Sequence, residues 1–298
     1  MKIEDRGILI TGASRGLGAA LAHELAARGA RLLLVARDAA ALDAVVDTIA
    51  ADGGEAHAFA ADIGDKDAIH PLVGAAGALL GDVDVVVHNA GTLGAEPLSA
   101  ASWPQPNGPA SLREAGPAPL GRASVLPEPP GVPATPPFAR VFAPRQHPRP
   151  GRLRVLADTD CEALQRALDV NVLGPFRLTK ALVGPMLLRD RGLIVHITSD
   201  AAIEAYPEWG AYGASKAALD HLSRTWAAEL AGTGVRFFGV DPGEMDTAMH
   251  AAALPSADRS ALRPPADAAR RIAELLADPS VPGGARIVLP AAPTEVKS

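Results

Sequence analysis

Residues 7–18 read Gly-Ile-Leu-Ile-Thr-Gly-Ala-Ser-Arg-Gly-Leu-Gly, an apolar run that leads directly into a glycine-rich turn. The run predicts a β-strand, and the apolar residues that recur once per turn after the loop predict a helix. A strand, a glycine-rich loop and a helix in this order are typical of a dinucleotide-binding unit. We therefore expect Gly12, Gly16 and Gly18 to let the backbone approach a pyrophosphate at the helix N-terminus, although an ordinary strand–helix turn has the same outline.

The rest of the chain repeats this alternation of short apolar runs and Ala/Leu-rich stretches. Strands are predicted at 8–11, 31–36, 56–60, 83–88, 193–198, 235–240 and 286–289. Helices are predicted at 17–28, 39–52, 66–80, 160–188, 213–230 and 265–276. Runs such as 32–35 and 85–87 are apolar throughout, as expected of strands covered on both faces. The sequence thus predicts an α/β fold of the Rossmann type, a doubly wound parallel sheet of about seven strands with helices on both faces.

We expect one dinucleotide-binding and catalytic domain over residues 1–298, interrupted by a proline-rich insertion at 97–155. Fifteen of the chain's 27 prolines lie between residues 97 and 150. Proline lacks a backbone donor and blocks helix interiors, so the insertion is expected to be irregular or disordered. It follows the fourth predicted strand, where it could form a lid, a partner-binding arm or an obstruction, and a misread frame in GC-rich DNA would give a similar composition.

The composition argues against several classes of function. A net charge of −6 and a pI of about 5.8 argue against nucleic acid as a partner. The eight histidines show no ligand spacing, so no metal site is predicted. The single cysteine, Cys161, and the lack of a signal peptide or a membrane-spanning apolar run lead us to expect a cytoplasmic protein that binds no membrane.

Tyr212 and Lys216 lie four residues apart, and Ser199 precedes the tyrosine by 13 residues (212 − 199). On a helix, residues i and i+4 share a face, so the phenol and the ammonium are expected to point into the same space. A nearby cation favours the phenolate and is expected to lower the pKa of the tyrosine from its usual value of about 10. Such a pair can exchange a proton in chemistry between an alcohol and a carbonyl near neutral pH.

The residues after the second predicted strand favour NADP(H) over NAD(H). An acid at the end of this strand would bind the 2′-hydroxyl of an NAD ribose, but Ala36 occupies that position. Arg37 and Arg15 could instead bind a 2′-phosphate, although two solvated surface arginines would give the same sequence. Asp38, two positions after Ala36, is the acid that argues for NAD(H).

Together these motifs resemble the short, single-domain branch of the short-chain dehydrogenase/reductase family, over residues 7–289 apart from the proline-rich stretch. Residues 11–18 are similar to its TGxxxGxG loop. Residues 88–91, His-Asn-Ala-Gly, are similar to its NNAG element with histidine in place of the first asparagine. Residues 242–247 match its PG-x-x-x-T segment, which meets the nicotinamide end of the cofactor. The family's catalytic residues are matched by Asn171, Ser199, Tyr212 and Lys216.

The resemblance implies a role for each matched residue. Tyr212 would exchange a proton with the substrate oxygen, and Ser199 would hydrogen-bond that oxygen. Lys216 would contact the nicotinamide ribose, and Asn171 would hold a water that links the lysine to solvent. Cofactor contacts are expected from Gly12, Ser14, Arg15, Gly16, Leu17, Gly18, Arg37, Asp62, Ile63, Asn89, Ala90, Gly91, Tyr212, Lys216, Pro242, Gly243 and Thr247.

Several of these residues have a second interpretation. Asp62 is placed to meet the adenine, but it could equally cap the helix predicted to begin near residue 65. Asn89 is expected to tie strands together rather than to touch substrate. Tyr206 and Trp209 could line a substrate pocket or pack in the interior. Three apolar residues after the PG segment could form a lid or pack as an ordinary loop, namely Met245, Met249 and Leu254.

The expected function is hydride transfer between NADP(H) and a carbonyl or secondary alcohol substrate, with Tyr212 as the general acid or base. The alternative is a non-catalytic dinucleotide-binding sensor or scaffold whose active site is obstructed by the insertion. The expected partners are a small-molecule carbonyl or alcohol and further copies of the chain. The predicted helices at 160–188 and 213–230 resemble those that pair between subunits in this family, which implies a homodimer or homotetramer.

Overall fold

The computed structural model of the chain describes residues 2–94 and 155–290. Its strands are β1 (Gly7–Thr11), β2 (Arg31–Ala36), β3 (Glu55–Ala60), β4 (Val85–His88), β5 (Gly192–Ile197), β6 (Val235–Asp241) and β7 (Arg286–Val288). Its α-helices are α1 (Gly16–Ala27), α2 (Ala39–Ala51), α3 (Ile69–Leu80), α4 (Cys161–Leu168), α5 (Gly174–Leu188), α6 (Gly210–Glu229), α7 (Ala248–Ala253) and α8 (Pro265–Ala277). None of the helices in these two ranges is long and apolar enough to cross a membrane.

The strands form one parallel sheet in the order β3-β2-β1-β4-β5-β6-β7. This order confirms the predicted doubly wound sheet, since the chain builds outward from β1 in one direction and from β4 in the other. β1 and β4 are neighbours, with Ile8 beside Val85 and Ile10 beside Val87. In such folds ligands bind in the crevice that opens at the carboxyl ends of the two strands where the direction reverses.

Each strand of the sheet centre buries side chains on both faces, as its continuous apolar sequence predicts. Ile8 and Ile10 of β1 belong to a core cluster that includes residues of α1, α2 and α8. Leu9 points the other way, into a cluster with residues of α3 and α5. Burying a large aliphatic side chain stabilises the fold by about 1.5–3 kcal/mol, so these two layers fix the sheet and with it the crevice.

Three differences from the predicted helices bear on the site. The single helix predicted at 160–188 is divided by a π-helical turn, Asp169–Leu173, between α4 and α5. The helix predicted at 66–80 begins with a separate 3-10 turn, Lys66–Ala68, which Asp65 caps by accepting a hydrogen bond from the Asp67 amide. The short helix α7 was not predicted. The proposed insertion at 97–155 lies, apart from Val155, outside the described residues.

Candidate active site

The glycine-rich loop packs tightly against the end of β4. The Asn89 side-chain amide donates hydrogen bonds of 3.0 Å to the carbonyls of Thr11 and Gly12. A Cβ on Gly18 would lie 2.2 Å from the Gly12 carbonyl oxygen and 2.5 Å from Asn89 Nδ2, and one on Gly12 would lie 2.7 Å from Ala90 Cα. These two glycines are therefore required by the approach of β1 to β4, and Asn89 ties the strands together as expected.

The N-terminus of α1 fits a pyrophosphate. Arg15 occupies the N-cap position, and no side chain caps the helix there, so its first amides are available to an anion. A Cβ on Gly16, which has a φ of +57°, would meet only the side chain of Thr247, at 3.4 Å. The loop and the PG segment thus face each other across a narrow gap. Leu17 is buried in the core, so only its backbone can reach a ligand.

The residues predicted to set the cofactor preference lie in the glycine-rich loop and just after β2 and β3. Arg15 and Arg37 are both exposed. Asp38, the acid that argued for NAD(H), caps α2 by accepting a hydrogen bond from the Ala41 amide at 3.1 Å. Arg37 is close enough to Asp62 for its charge to help lower the pKa of that carboxyl. The carboxylate of Asp38 thus caps α2, while the side chains of Arg15 and Arg37 lie at the surface.

Asp62 is held by Arg166 rather than capping a helix. It accepts hydrogen bonds from the Gly64 amide at 2.9 Å and from Arg166 Nη2 at 2.6 Å. Burial raises the pKa of Asp62, but these two partners outweigh burial and the pKa lies below its usual value. The capping interpretation is therefore wrong, because Asp65 performs that role. Ile63 is buried in the core, which leaves only its backbone to contact a cofactor.

Asn171 lies in the π-helical turn and joins three parts of the site. Its Nδ2 donates to the carbonyl of Thr92 at 2.9 Å and to Ser215 Oγ at 2.8 Å, while its Oδ1 accepts from the Thr92 amide at 2.8 Å. Ser215 Oγ in turn donates to the Tyr212 carbonyl at 2.7 Å. A π-turn is uncommon and often marks a functional position. Here it turns a fully buried amide toward both the exit of β4 and α6.

The structure brings the predicted catalytic side chains together. Lys216 is buried, its Nζ donates to the Ile197 carbonyl at 2.7 Å, and it lies 5.6 Å from the centre of the Tyr212 ring. The hydroxyl of Ser199 lies close enough to Tyr212 to lower the pKa of the phenol. A Cβ on Gly91 would lie 3.6 Å from Asn171 Oδ1 and 3.7 Å from Lys216 Nζ. Asn171 and Lys216 thus meet beside Gly91, the Tyr212 ring lies next to the lysine, and Ser199 lies next to the phenol.

The pKa of Tyr212 is raised to about 12, not lowered as expected. Burial is the largest cause; the Ser199 hydroxyl lowers the pKa, and the charges of Asp200 and Asp241 raise it. Lys216 does not bring the pKa of Tyr212 below its usual value. Burial lowers the pKa of Lys216 itself to about 8, although the charges of Asp220 and Asp241 raise it. Tyr212 is therefore a neutral phenol at neutral pH, the form that donates a proton.

An aromatic wall, formed by Tyr206, Trp209 and Tyr212, borders the phenol. The ring centres of Trp209 and Tyr212 are 5.7 Å apart and those of Tyr206 and Trp209 are 6.4 Å apart, both in edge-on contacts. Tyr206 is exposed and donates a hydrogen bond from its hydroxyl to Asp200 Oδ2 at 2.8 Å. This exposure favours the pocket-lining interpretation over interior packing.

Two buried polar side chains hydrogen-bond to the backbone of the PG segment, residues 242–247. Asp241 Oδ1 accepts a hydrogen bond from the Gly243 amide at 3.0 Å, and Arg263 Nη1 donates to the Pro242 carbonyl at 3.0 Å. Met249 is exposed, and its Cε would lie 3.9 Å from a Cβ on Gly91, whereas Met245 packs against the core. Of the three apolar residues proposed as a lid, Met249 is thus the one that lies beside Gly91.

The sequence profile of the family described as short chain dehydrogenase matches residues 6–105 and 151–257. The chain belongs to the short-chain dehydrogenase/reductase family. This is an oxidoreductase family, and its motifs coincide here with the groups that the fold assembles at the crevice.

Two relatives illustrate the similarity. A short chain dehydrogenase of Pseudocercospora fijiensis is 28% identical over 250 residues, which are 84% of this chain and 63% of that protein. The 3-oxoacyl-[acyl-carrier-protein] reductase of Synechocystis is 31% identical over 242 residues, 81% of this chain and 74% of that protein. The chain thus spans less than two thirds of the length of the first of these relatives.

Solved structures share the fold. A protein from Shigella flexneri described as a short chain dehydrogenase, complexed with NADP, superposes with a TM-score of 0.73 at 25% identity, over 96% of this chain and 98% of that one. The 3-ketoacyl-(acyl-carrier-protein) reductase of Brucella melitensis, complexed with NADH, gives a TM-score of 0.70 over 96% of this chain and 97% of that one. At 23% identity, the second likeness concerns the fold alone.

Several polar residues of this short-chain dehydrogenase/reductase site were missed from the sequence. Asp200 and Asp241 directly follow or precede predicted site residues, so their position in the chain was an available signal. Ser215 adjoins Lys216 in the same way. Arg286 had no such signal, because it reaches the Ser199 carbonyl across 87 residues of sequence.

Proposed function

We propose that this short-chain dehydrogenase/reductase transfers hydride between NADP(H) and a carbonyl or secondary alcohol, with Tyr212 as the general acid or base. The observation that carries the proposal is the approach of Ser199, Tyr212 and Lys216 at the crevice. Ser199 lies close enough to Tyr212 to lower its pKa, and Lys216 is buried 5.6 Å from the phenol ring centre. The nicotinamide supplies the hydride when it is bound. Ser199 would hydrogen-bond the substrate oxygen while the neutral phenol donates its proton.

The choice of NADP(H) rests on charge at the adenosine end. Arg15 and Arg37 are exposed at the end of the glycine-rich loop and of β2, where a 2′-phosphate would lie. Asp38 is occupied as the cap of α2. The NADP in the Shigella flexneri structure agrees with this assignment.

We further propose that the protein acts in the cytoplasm on a small molecule, without nucleic acid or membrane partners, as a homodimer or homotetramer. The net charge of −6 supports the absence of nucleic acid, since an acidic protein repels phosphates. Size-exclusion chromatography with light scattering measures the assembly directly.

Turnover of NADPH over a panel of ketones and aldehydes tests the activity. Tyr212→Phe should lower turnover by about 100-fold to 10,000-fold, the usual contribution of a general acid, while NADPH binding persists. The chain contains only two tyrosines, so Tyr206→Phe is the matched comparison and should retain far more turnover. Undiminished turnover in Tyr212→Phe refutes the assignment. Tight NADPH binding without turnover of any substrate would indicate the sensor function instead.

A further inference from the structure

Arg286 lies on the edge strand β7 and reaches three parts of the protein at once. Its Nε donates to Asp220 Oδ2 at 3.0 Å, and its Nη2 donates to Asp241 Oδ2 at 2.8 Å. The same Nη2 donates to the backbone carbonyl of Ser199 at 2.9 Å. Both carboxylates are buried, and the guanidinium is 19% exposed. One side chain thus connects β7 to α6, to the end of β6 and to the turn after β5.

Two of the contacted residues, Ser199 and Asp241, belong to the candidate active site or hold part of it in place. Ser199 carries the hydroxyl that lowers the pKa of Tyr212. Asp241 uses its second oxygen to hold the Gly243 amide in the PG segment, at 3.0 Å. We propose that Arg286 is a positioning residue of the active site, whose guanidinium fixes the backbone of Ser199 and joins the carboxylates of Asp220 and Asp241. This inference rests on the proposed function and adds to its site a positioning residue that lies 87 residues from Ser199 in sequence.

The arginine also balances charge beside the catalytic lysine. Lys216 is faced by Asp220 one turn later on α6, by Asp241 from β6 and by His196 from β5. The two carboxylates raise the pKa of Lys216, and burial, the larger effect, lowers it to about 8. His196 is neutral near pH 7, because burial lowers its pKa to about 3. Removing the charge of Arg286 would therefore leave two buried carboxylates to stabilise the lysine ammonium.

The first measurement is the pKa of Lys216, observed by NMR in protein labelled with 13Cε-lysine. The chain has five lysines, and the Lys216 signal is the one lost in Lys216→Arg. In Arg286→Ala its pKa should rise by about one unit or more, since one positive charge near the pair is lost. The signal titrates in protein that turns over nothing, so failure of the proposed function would leave this result intact.

The second measurement separates position from charge. Arg286→Lys keeps the cation but cannot form the same planar set of bonds, so the pKa of Lys216 should stay near that of the wild type. Its turnover should nevertheless fall by about 10-fold to 100-fold, because the Ser199 backbone loses its anchor. A role confined to folding predicts the opposite, namely normal turnover wherever the variant remains folded.

A cavity of about 130 Å³ beside the arginine allows chemical rescue. Asp220, Ser223, Gly239 and Arg286 are among its lining residues. Added guanidinium at millimolar concentration should enter this space in Arg286→Ala and return both turnover and the Lys216 pKa toward the wild-type values. Arg236→Ala is the matched control, because among the described residues Arg236 donates its hydrogen bonds to the backbone carbonyls of residues 278, 279 and 281. That variant should lose stability without any change in the pKa of Lys216.

The proposal is overturned if Arg286→Ala folds with an unchanged Lys216 pKa and unchanged turnover. If Arg286→Ala does not fold, Asp220→Asn decides the matter. Loss of that carboxylate should lower the pKa of Lys216, and an unchanged value would contradict the charge balance described above.

Discussion

The hydroxyl of Ser199 donates a hydrogen bond to Oδ1 of its neighbour Asp200 at 2.9 Å. The same carboxylate accepts a hydrogen bond from the Tyr206 hydroxyl and raises the pKa of Tyr212. In the proposed reaction Asp200 therefore competes with a substrate oxygen for the serine proton, and its charge adds to burial in keeping the Tyr212 phenol neutral. Asp200 thus acts on both Ser199 and Tyr212, the two residues proposed to contact the substrate oxygen.

Replacing Asp200 with Asn should shift the pH dependence of alcohol oxidation toward lower pH. Asp200 raises the pKa of Tyr212, so its neutralisation favours the phenolate at a given pH. The profile of kcat/KM against pH measures the shift. Glu204→Gln, which removes a charge four residues away on the exposed side, should cause a smaller shift. An equal shift in both variants would show that general surface charge, rather than Asp200, sets the profile.

Two stacked histidines should make the protein sensitive to acid. The rings of His88 and His196 are buried with their centres 5.0 Å apart, and burial lowers both pKa values, that of His196 to about 3. The unfolded chain binds protons near pH 6.5 that the folded protein does not. Stability is therefore complete above that pH and falls as the pH drops toward 3, by about 1.4 kcal/mol per pH unit for each histidine.

His196→Phe should remove one such contribution, since Nδ1 of His196 has no hydrogen-bond partner among the described residues and its neighbour Phe237 already stacks on the ring. Urea denaturation at pH 7, 6 and 5 measures the slope. His221→Gln, on the exposed face of α6, is the control and should keep the wild-type slope. An identical slope in His196→Phe would mean that the buried pair does not control acid sensitivity.

The combined replacement of Arg15 and Arg37 with Ala should weaken NADPH binding by roughly 10-fold to 100-fold and leave NADH binding nearly unchanged. The reason is the loss of charge-assisted hydrogen bonds to the 2′-phosphate, a group that NADH lacks. Quenching of tryptophan fluorescence reports both affinities. Arg28→Ala is the control. Arg28 follows α1 and pairs with Glu24, so its replacement should affect the binding of neither cofactor. Equal losses for NADPH and NADH would contradict the assignment of a 2′-phosphate site.

Gly18→Ala should destabilise the fold by about 1–3 kcal/mol or more, because its Cβ would overlap the Gly12 carbonyl at 2.2 Å. Gly77→Ala in α3 is the matched control, since a Cβ there meets nothing within 4 Å. That substitution should instead stabilise the protein by about 0.5–1 kcal/mol through helix propensity. Thermal unfolding separates the two, and a Tm for Gly18→Ala at or above the wild-type value would disprove the steric argument.

Local patterns were enough to predict much of the site. Lys216 follows Tyr212 by one helical turn, and the glycine spacing after β1 is a local requirement of the turn. By contrast, the sequence did not predict the π-turn at Asn171, because 160–188 reads as one continuous helix. It also left Asp62 open between two roles, since its partner Arg166 is 104 residues away.

The sequence by itself determined the strand–loop–helix order, the doubly wound sheet and the set of residues proposed as catalytic, since these depend on periodicity and short spacing along the chain. The tertiary structure alone decided the protonation state of Tyr212, the part taken by Asp200 and the reach of Arg286 to Ser199. Burial and through-space charge set those properties, and both arise from groups that are distant in sequence until the sheet brings them together.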